Sequence, residues 1–272
     1  MKTSIEWTDA TWNPVTGCTK VSPGCKNCYA EAIALRLWGR RKFTDVRLES
    51  ARLKYPLHWR KPRMVFVNSM SDLFHPDVPF DFVDAVFETI CTAKHHTYQI
   101  LTKRGARMRE YFDLMNKNAF IPENVLIGVS CENREMATLR IPQLQDIDLA
   151  RRFISFEPLL EDAGELDLTG IEWVIIGGES GPNARPFNIE WARNIIRQCK
   201  AAKIPVFMKQ VGSNPDVYDI TTTRQGDTVR IREKRARLKS RKGSDPSEWP
   251  KDLRVREYPS LASINPLFSK DP

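Results

Sequence analysis

The chain lacks several features that would settle its class at once. No apolar run in its 272 residues approaches the length of a membrane span, which argues against membrane-crossing helices. The first residues, Met1-Lys2-Thr3-Ser4-Ile5-Glu6-Trp7, hold no apolar stretch of signal length, so a cytoplasmic location is expected. No Gly-x-Gly-x-x-Gly follows the first strand pattern, which weakens a dinucleotide-binding reading. No internal repeat of fixed length is evident. Cysteine is sparse, six in all, as suits a reducing compartment.

Three of those cysteines are crowded into eleven residues. Cys18, Cys25 and Cys28 form a C-x6-C-x2-C run inside Gly17-Cys18-Thr19-Lys20-Val21-Ser22-Pro23-Gly24-Cys25-Lys26-Asn27-Cys28-Tyr29-Ala30. Thiols this close are usually gathered by a metal or a cluster. A cubane cluster normally takes four thiolates, so three would leave one iron open. A structural zinc wants a closed set of four, the fourth being Cys91, Cys131, Cys199 or a histidine. A disulfide would leave one thiol over. The other three cysteines sit in apolar runs, as small buried residues do.

The formal charge of +8 favours a polyanionic partner. Residues 224–242 hold nine basic and two acidic residues. Arg230, Arg232, Lys234, Arg235 and Arg237 are candidate nucleic-acid contacts, to phosphates rather than bases. A solvated basic arm is the plainer alternative.

Hydrophobic periodicity predicts alternating strands and helices. Strands are expected at 64–68, 98–102, 125–129, 152–156, 173–176 and 205–208, with a short one before Cys18. Helices are expected at 29–41, 80–94, 106–116, 134–144 and 189–203. Strands buried on both faces and separated by helices imply a parallel sheet. The fold class is therefore α/β, a partial (β/α)6-type barrel, with a doubly wound sheet as runner-up. Residues 1–212 form the barrel and its cysteine loop. The pattern stops near Gly212, and 213–272 read as an irregular basic appendage, the last dozen residues a candidate disordered tail.

In such barrels chemistry gathers at the C-terminal ends of the strands. Those ends carry Asn68, Ser69, Ser71 and Asp72; Lys103 and Arg104; Ser130 and Glu132; Ser155 and Glu157; Gly177, Gly178, Glu179 and Ser180; and Lys209. The glycines permit close approach of backbone to a ligand. The carboxylates suit an ammonium or ribose hydroxyls, and Lys103, Arg104 and Lys209 suit a carboxylate or phosphate. Each carboxylate, taken alone, could equally be a helix cap, Asp72 and Asn133 most of all.

The cysteine loop followed by β/α units resembles the radical S-adenosylmethionine (SAM) superfamily. The same loop, with Asp72-Leu73-Phe74, Ser155-Phe156-Glu157-Pro158-Leu159, Gly177-Gly178-Glu179-Ser180-Gly181 and Trp249-Pro250-Lys251-Asp252-Leu253-Arg254, is similar to a family of phage and bacterial three-Cys-motif proteins of long-unknown function. The resemblance implies that Cys18, Cys25 and Cys28 ligate a 4Fe-4S cluster whose open iron chelates SAM. It implies an enzyme using a 5′-deoxyadenosyl radical, reduced by a flavodoxin or ferredoxin. Asn68 to Asp72 would lie near the methionine amine, Ser130 and Glu132 near ribose, and Glu179 and Ser180 near substrate or adenosine. Two departures stand out. The superfamily spacing is C-x3-C-x2-C; the first gap here is longer by three residues, and Asn27 occupies the position of its aromatic residue. The expected substrate is a nucleic-acid base, DNA rather than RNA, modified or repaired, in the host cytoplasm if phage-encoded. A nucleic-acid-binding protein with a structural metal, and radical chemistry on a peptide or small metabolite, remain as alternatives.

Overall fold

Seven parallel strands form one sheet in simple sequential order: β1 (Ala10–Trp12), β2 (Met64–Val67), β3 (Thr97–Thr102), β4 (Val125–Ser130), β5 (Arg151–Phe156), β6 (Ile171–Gly177) and β7 (Val206–Gln210). In this computed structural model the sheet curls into a half-barrel flanked by α1 (Tyr29–Leu37), α2 (Phe80–Thr92), α3 (Gly105–Leu114), α4 (Arg134–Gln145) and α5 (Ile189–Ala201). The structure describes residues 3–115, 121–148, 151–216, 218–222, 228–232 and 238–260, with backbone alone in 218–222 and 228–232.

The predicted strand–helix alternation holds, and the short strand before Cys18 is β1. Helices begin where local chemistry starts them. The Asn133 side chain accepts from Met136 N and opens α4, while Asn188 accepts from Glu190 N and opens α5. Pro79 caps α2, with Asp81 in the first turn against the helix dipole.

Period-2 alternation divides the sheet residues between two cores. Val65, Val67, Ile100, Ile127, Ile154, Val174 and Met208 face outward into the larger core with the helices. Met64, Phe66, Leu126, Phe153, Trp173, Ile175 and Phe207 face inward, and Trp7 packs among them. Trp7 and Trp173 meet edge-on at 6.3 Å. The concave side is therefore plugged with aromatic carbon towards the strand N-termini and left polar towards their C-termini.

One expectation is corrected beyond Gly212, where regular structure continues. Tyr218–Thr222 pairs antiparallel with Thr228–Arg232. Both segments are rich in β-branched residues, a strand signal that the basic charge had masked. Further on, the tail is stitched to the sheet: Met208 N donates to Val255 O (2.8 Å) and Glu257 N to Val206 O (2.8 Å). Trp249 and Leu253 are buried in the larger core. Residues 261–272 lie outside the described residues.

Candidate active site at the mouth of the half-barrel

The cysteine loop crosses the C-terminal rim of the sheet. Gly17 starts it with φ at +95°, and a Cβ there would sit 2.5 Å from Asp45 O, so only glycine fits. Gly17 N then donates to Met70 O (3.1 Å) and Cys18 N to Phe43 O (2.9 Å). A short turn at Pro23–Cys25 follows, and Cys28 becomes the N-cap of α1.

Groups following four strands hold this loop. After β2, Ser69 O accepts from Tyr29 Oη at 2.7 Å. After β3, Arg104 donates to Thr19 O (2.9 Å), Thr19 Oγ1 (3.1 Å) and Cys18 Sγ (3.5 Å). After β4, Glu132 Oε1 accepts from Gly24 N at 2.9 Å. After β6, Glu179 Oε2 accepts from Asn27 Nδ2 at 2.8 Å, and Arg185 donates to Pro23 O at 2.9 Å. Gly24 must be glycine for this approach, since its Cβ would stand 2.9 Å from the Glu132 carboxyl carbon.

Beneath the loop, strand alternation places Lys103, Ser130, Glu157, Gly177 and Lys209 on the concave face, one step above the aromatic plug. These five predicted residues share one layer. Lys103 Nζ donates to Ser130 Oγ, and Ser130 Oγ donates to Glu157 O (3.3 Å). Lys209 Nζ pairs with Glu157 Oε1 at 2.7 Å, while Trp7 Nε1 donates to Glu157 Oε2 at 3.2 Å. A Cβ on Gly177 would reach within 2.8 Å of Glu157 Oε1, so the missing side chain makes room for that carboxylate.

The other predicted residues sit above this layer and are engaged within the chain. Asp72 accepts from Phe74 N, Thr102 Oγ1, Lys103 N and Arg104 Nη1. Ser69 Oγ donates to Asn13 Oδ1 (3.2 Å), and Ser71 Oγ to Val15 O (2.8 Å). Asn68 Oδ1 accepts from Val15 N (3.1 Å). Gly178 N donates to Gln210 O, and Gly178 lies against the Val211 carbonyl. Ser180 is half-buried beside Glu179, whose carboxylate pairs with Arg185. Arg230 and Arg232 fall in the Thr228–Arg232 strand, and Lys234, Arg235 and Arg237 lie outside the described residues.

Electrostatics follow from burial and pairing. Burial pushes the Cys18 thiol up to about 11; Asp72 adds to this and Arg104 opposes it. Burial alone would raise Glu132, but Lys103, Ser22, the Gly24 N–H and Arg140 outweigh it and hold it below the usual carboxylate range. Glu179 is likewise held low against its burial, chiefly by Arg185. The mouth thus presents ionised carboxylates that already have cations beside them.

Arg140, Arg185 and Asn27 were not legible from the sequence as site residues. Arg140 lies on α4 and reaches Glu132 at 2.9 Å, and nothing in its helix pattern announces an inward charge. Of the candidates for a fourth metal ligand, Cys131 and Cys199 are buried in the larger core and Cys91 lies on α2. His75 does touch the loop, its Nε2 lying 2.8 Å from Thr19 Oγ1.

Three thiols on one loop, all half-buried and none in a disulfide, are a donor set suited to an iron–sulfur cluster. Among the described residues no three His, Cys, Asp or Glu side chains are grouped closely enough to hold a metal ion. The fit therefore rests on donor chemistry and loop position. No helix among the described residues is long and apolar enough to cross a membrane. No curated protein and no solved structure matches the chain. The family model described as "Protein of unknown function (DUF5131)" matches residues 2–254, and the chain belongs to that family.

Proposed function

We propose that this mouth is the active site of a radical SAM enzyme that modifies or repairs a nucleic-acid base, DNA in preference to RNA. One observation carries the reading: a three-thiol loop is clamped over the C-terminal mouth of a parallel half-barrel by groups that follow four of its strands. In β/α barrels that end is where chemistry is done. Cys18, Cys25 and Cys28 would hold the 4Fe-4S cluster. Bound there, cluster and SAM supply hydrogen-atom abstraction once a flavodoxin- or ferredoxin-type donor provides an electron.

The protein's own residues do the positioning. Arg104 ties Cys18 and Thr19 to Asp72, so one thiol is oriented by a buried ion pair. Lys103 and Lys209 offer ammonium groups on the concave layer to a carboxylate or phosphate. Glu157 neutralises Lys209 until an anion arrives. The aromatic plug of Trp7, Phe66, Trp173 and Phe207 closes the mouth from beneath and excludes water.

The test is anaerobic reconstitution with iron and sulfide, reduction with dithionite, addition of SAM and assay of 5′-deoxyadenosine. A brown protein that makes 5′-deoxyadenosine, and a Cys25→Ala variant that does not, is the expected result. A colourless protein holding one zinc per chain, or a reduced cluster that leaves SAM intact, would replace this reading with a metal-stabilised binding protein.

A further inference from the structure

Charge is segregated along this chain beyond the basic run near its C-terminus. Residues 36–63 carry ten Lys and Arg against two acidic residues, a local excess of +8 that equals the charge of the whole chain. Residues 224–242 add +7, which leaves the remaining body at −7.

Segment 36–63 runs beside β1 in its first half and passes under the α2–β3 connection in its second, where Trp59 O lies 2.7 Å from His95 Nε2 and Pro56 O 3.1 Å from His96 Nε2. At the mouth, Phe43 O accepts from Cys18 N, and Leu48 pairs antiparallel with Val15. Midway, Arg52 O accepts from Trp12 Nε1 at 2.8 Å. At the base, Arg63 O accepts from Thr97 N at 2.9 Å, at the start of β3. The segment therefore runs from the cysteine loop down the height of the sheet, about 20 Å for a six-residue strand.

Its two acidic residues are fully used. Asp45 and Glu49 pair with Arg41, Arg47 and Arg52. Arg36, Arg40, Lys42, Lys54, Arg60 and Lys61 are all exposed and have no ion-pair partner among the described residues. Like charges crowded on one edge repel one another and do nothing for the fold. They raise the affinity of a polyanion that can lie along them.

We propose that this edge is a phosphate-backbone track for double-stranded DNA, leading to the mouth. It deepens the function proposed above, on which it rests for the choice of nucleic acid as polyanion. A duplex strand carries one charge per about 3.4 Å of axis, so 20 Å of track lies along roughly six phosphates of one strand. Lysine and arginine contacts of this kind position a duplex without reading its sequence. The exposed apolar side chains among these cations, Leu35, Leu37, Leu48, Tyr55 and Leu57, belong to three separate elements and not to one amphipathic helix of the kind that lies in a lipid surface.

The test is fluorescence anisotropy with a labelled mixed-sequence duplex, titrated at several salt concentrations. It is run on cluster-loaded protein and on the Cys25→Ala variant, so binding is scored apart from cluster chemistry. Removing four contacts with Arg40→Gln, Lys42→Gln, Arg60→Gln and Lys61→Gln should flatten the log–log salt slope by about 3.6, at about 0.9 per phosphate. At low salt the affinity should fall about 100-fold or more. The double variant Lys54→Gln with Lys61→Gln, expected to lose about half that slope, serves if the fourfold variant melts early. Unchanged binding by either folded variant overturns the proposal, as does loss of all binding on neutralising Arg230, Arg232, Lys234 and Arg235 alone. Tighter binding to phosphatidylglycerol vesicles than to the duplex would reassign the edge to a membrane surface.

Discussion

Glu132 is the sharpest test of how the loop is held. Its side chain is fully buried and accepts from two places: Gly24 N in the cysteine loop and Arg140 Nη1 on α4, each at 2.9 Å. Arg140 is itself only 3 % exposed and also donates to Ser130 O. Replacing Glu132 by Met strands a buried guanidinium, which costs about 3–5 kcal/mol. Replacing Arg140 by Met leaves Glu132 with Gly24 N and the nearby Lys103, so the loss is nearer 2 kcal/mol, that of one charge-assisted hydrogen bond. Pairing the two changes removes both buried charges together and should cost about 2 kcal/mol, mostly the lost Gly24 bond. The coupling energy is then about 4 kcal/mol, the two single losses less the double. Urea unfolding followed by tryptophan fluorescence measures all four corners of the cycle. Hydrogen exchange at the Gly24 amide should accelerate in the Glu132→Met protein and stay slow in Arg140→Met. A coupling below about 1 kcal/mol, or a Gly24 amide indifferent to Glu132, would refute the clamp as described. If Glu132→Met does not fold, Glu132→Gln keeps the acceptor oxygen and should lose about 1–3 kcal/mol with the charge.

Two further expectations follow from buried groups elsewhere. Burial lowers the His96 imidazole from 6.5 to about 4, with His95 and Arg63 adding to the effect and the Pro56 carbonyl opposing it. Because the folded state holds His96 neutral, its contribution is intact above pH 6.5 and is lost as pH falls from 6.5 towards 4. Up to roughly 3 kcal/mol should disappear over that window, and His96→Gln should flatten it in urea melts at pH 7.5 and 5. Trp249 is 2 % exposed and donates from Nε1 to Gly243 O at 2.9 Å, so Trp249→Ala should cost about 3–5 kcal/mol. A thermal melt unchanged by that substitution would show that the tail contributes nothing to the barrel's stability.

How much of this was legible in advance depends on the range of the interaction. Strand ends were legible because an apolar run that stops at Asn68, Lys103, Ser130, Glu157 or Lys209 marks its own boundary. That Lys103, Ser130, Glu157 and Lys209 share one concave layer also follows from period-2 alternation once the fold is parallel. The antiparallel pairing of 218–222 with 228–232 is hidden in the sequence by the density of charge around it. The charge excess of 36–63 was present in the sequence but overshadowed by the denser run at 224–242.

The sequence by itself determined the repeating β/α order, the two faces of each strand and the crowding of three thiols on one loop, all consequences of local spacing. Only the tertiary structure decided which groups meet. Gly24 and Glu132 are 108 positions apart, and Asn27 and Glu179 are 152 apart. A parallel sheet brings successive strand ends onto one rim, and only there do the cations find their carboxylates. Pairing at that range depends on where the chain's turns deliver each side chain, and no local pattern encodes it.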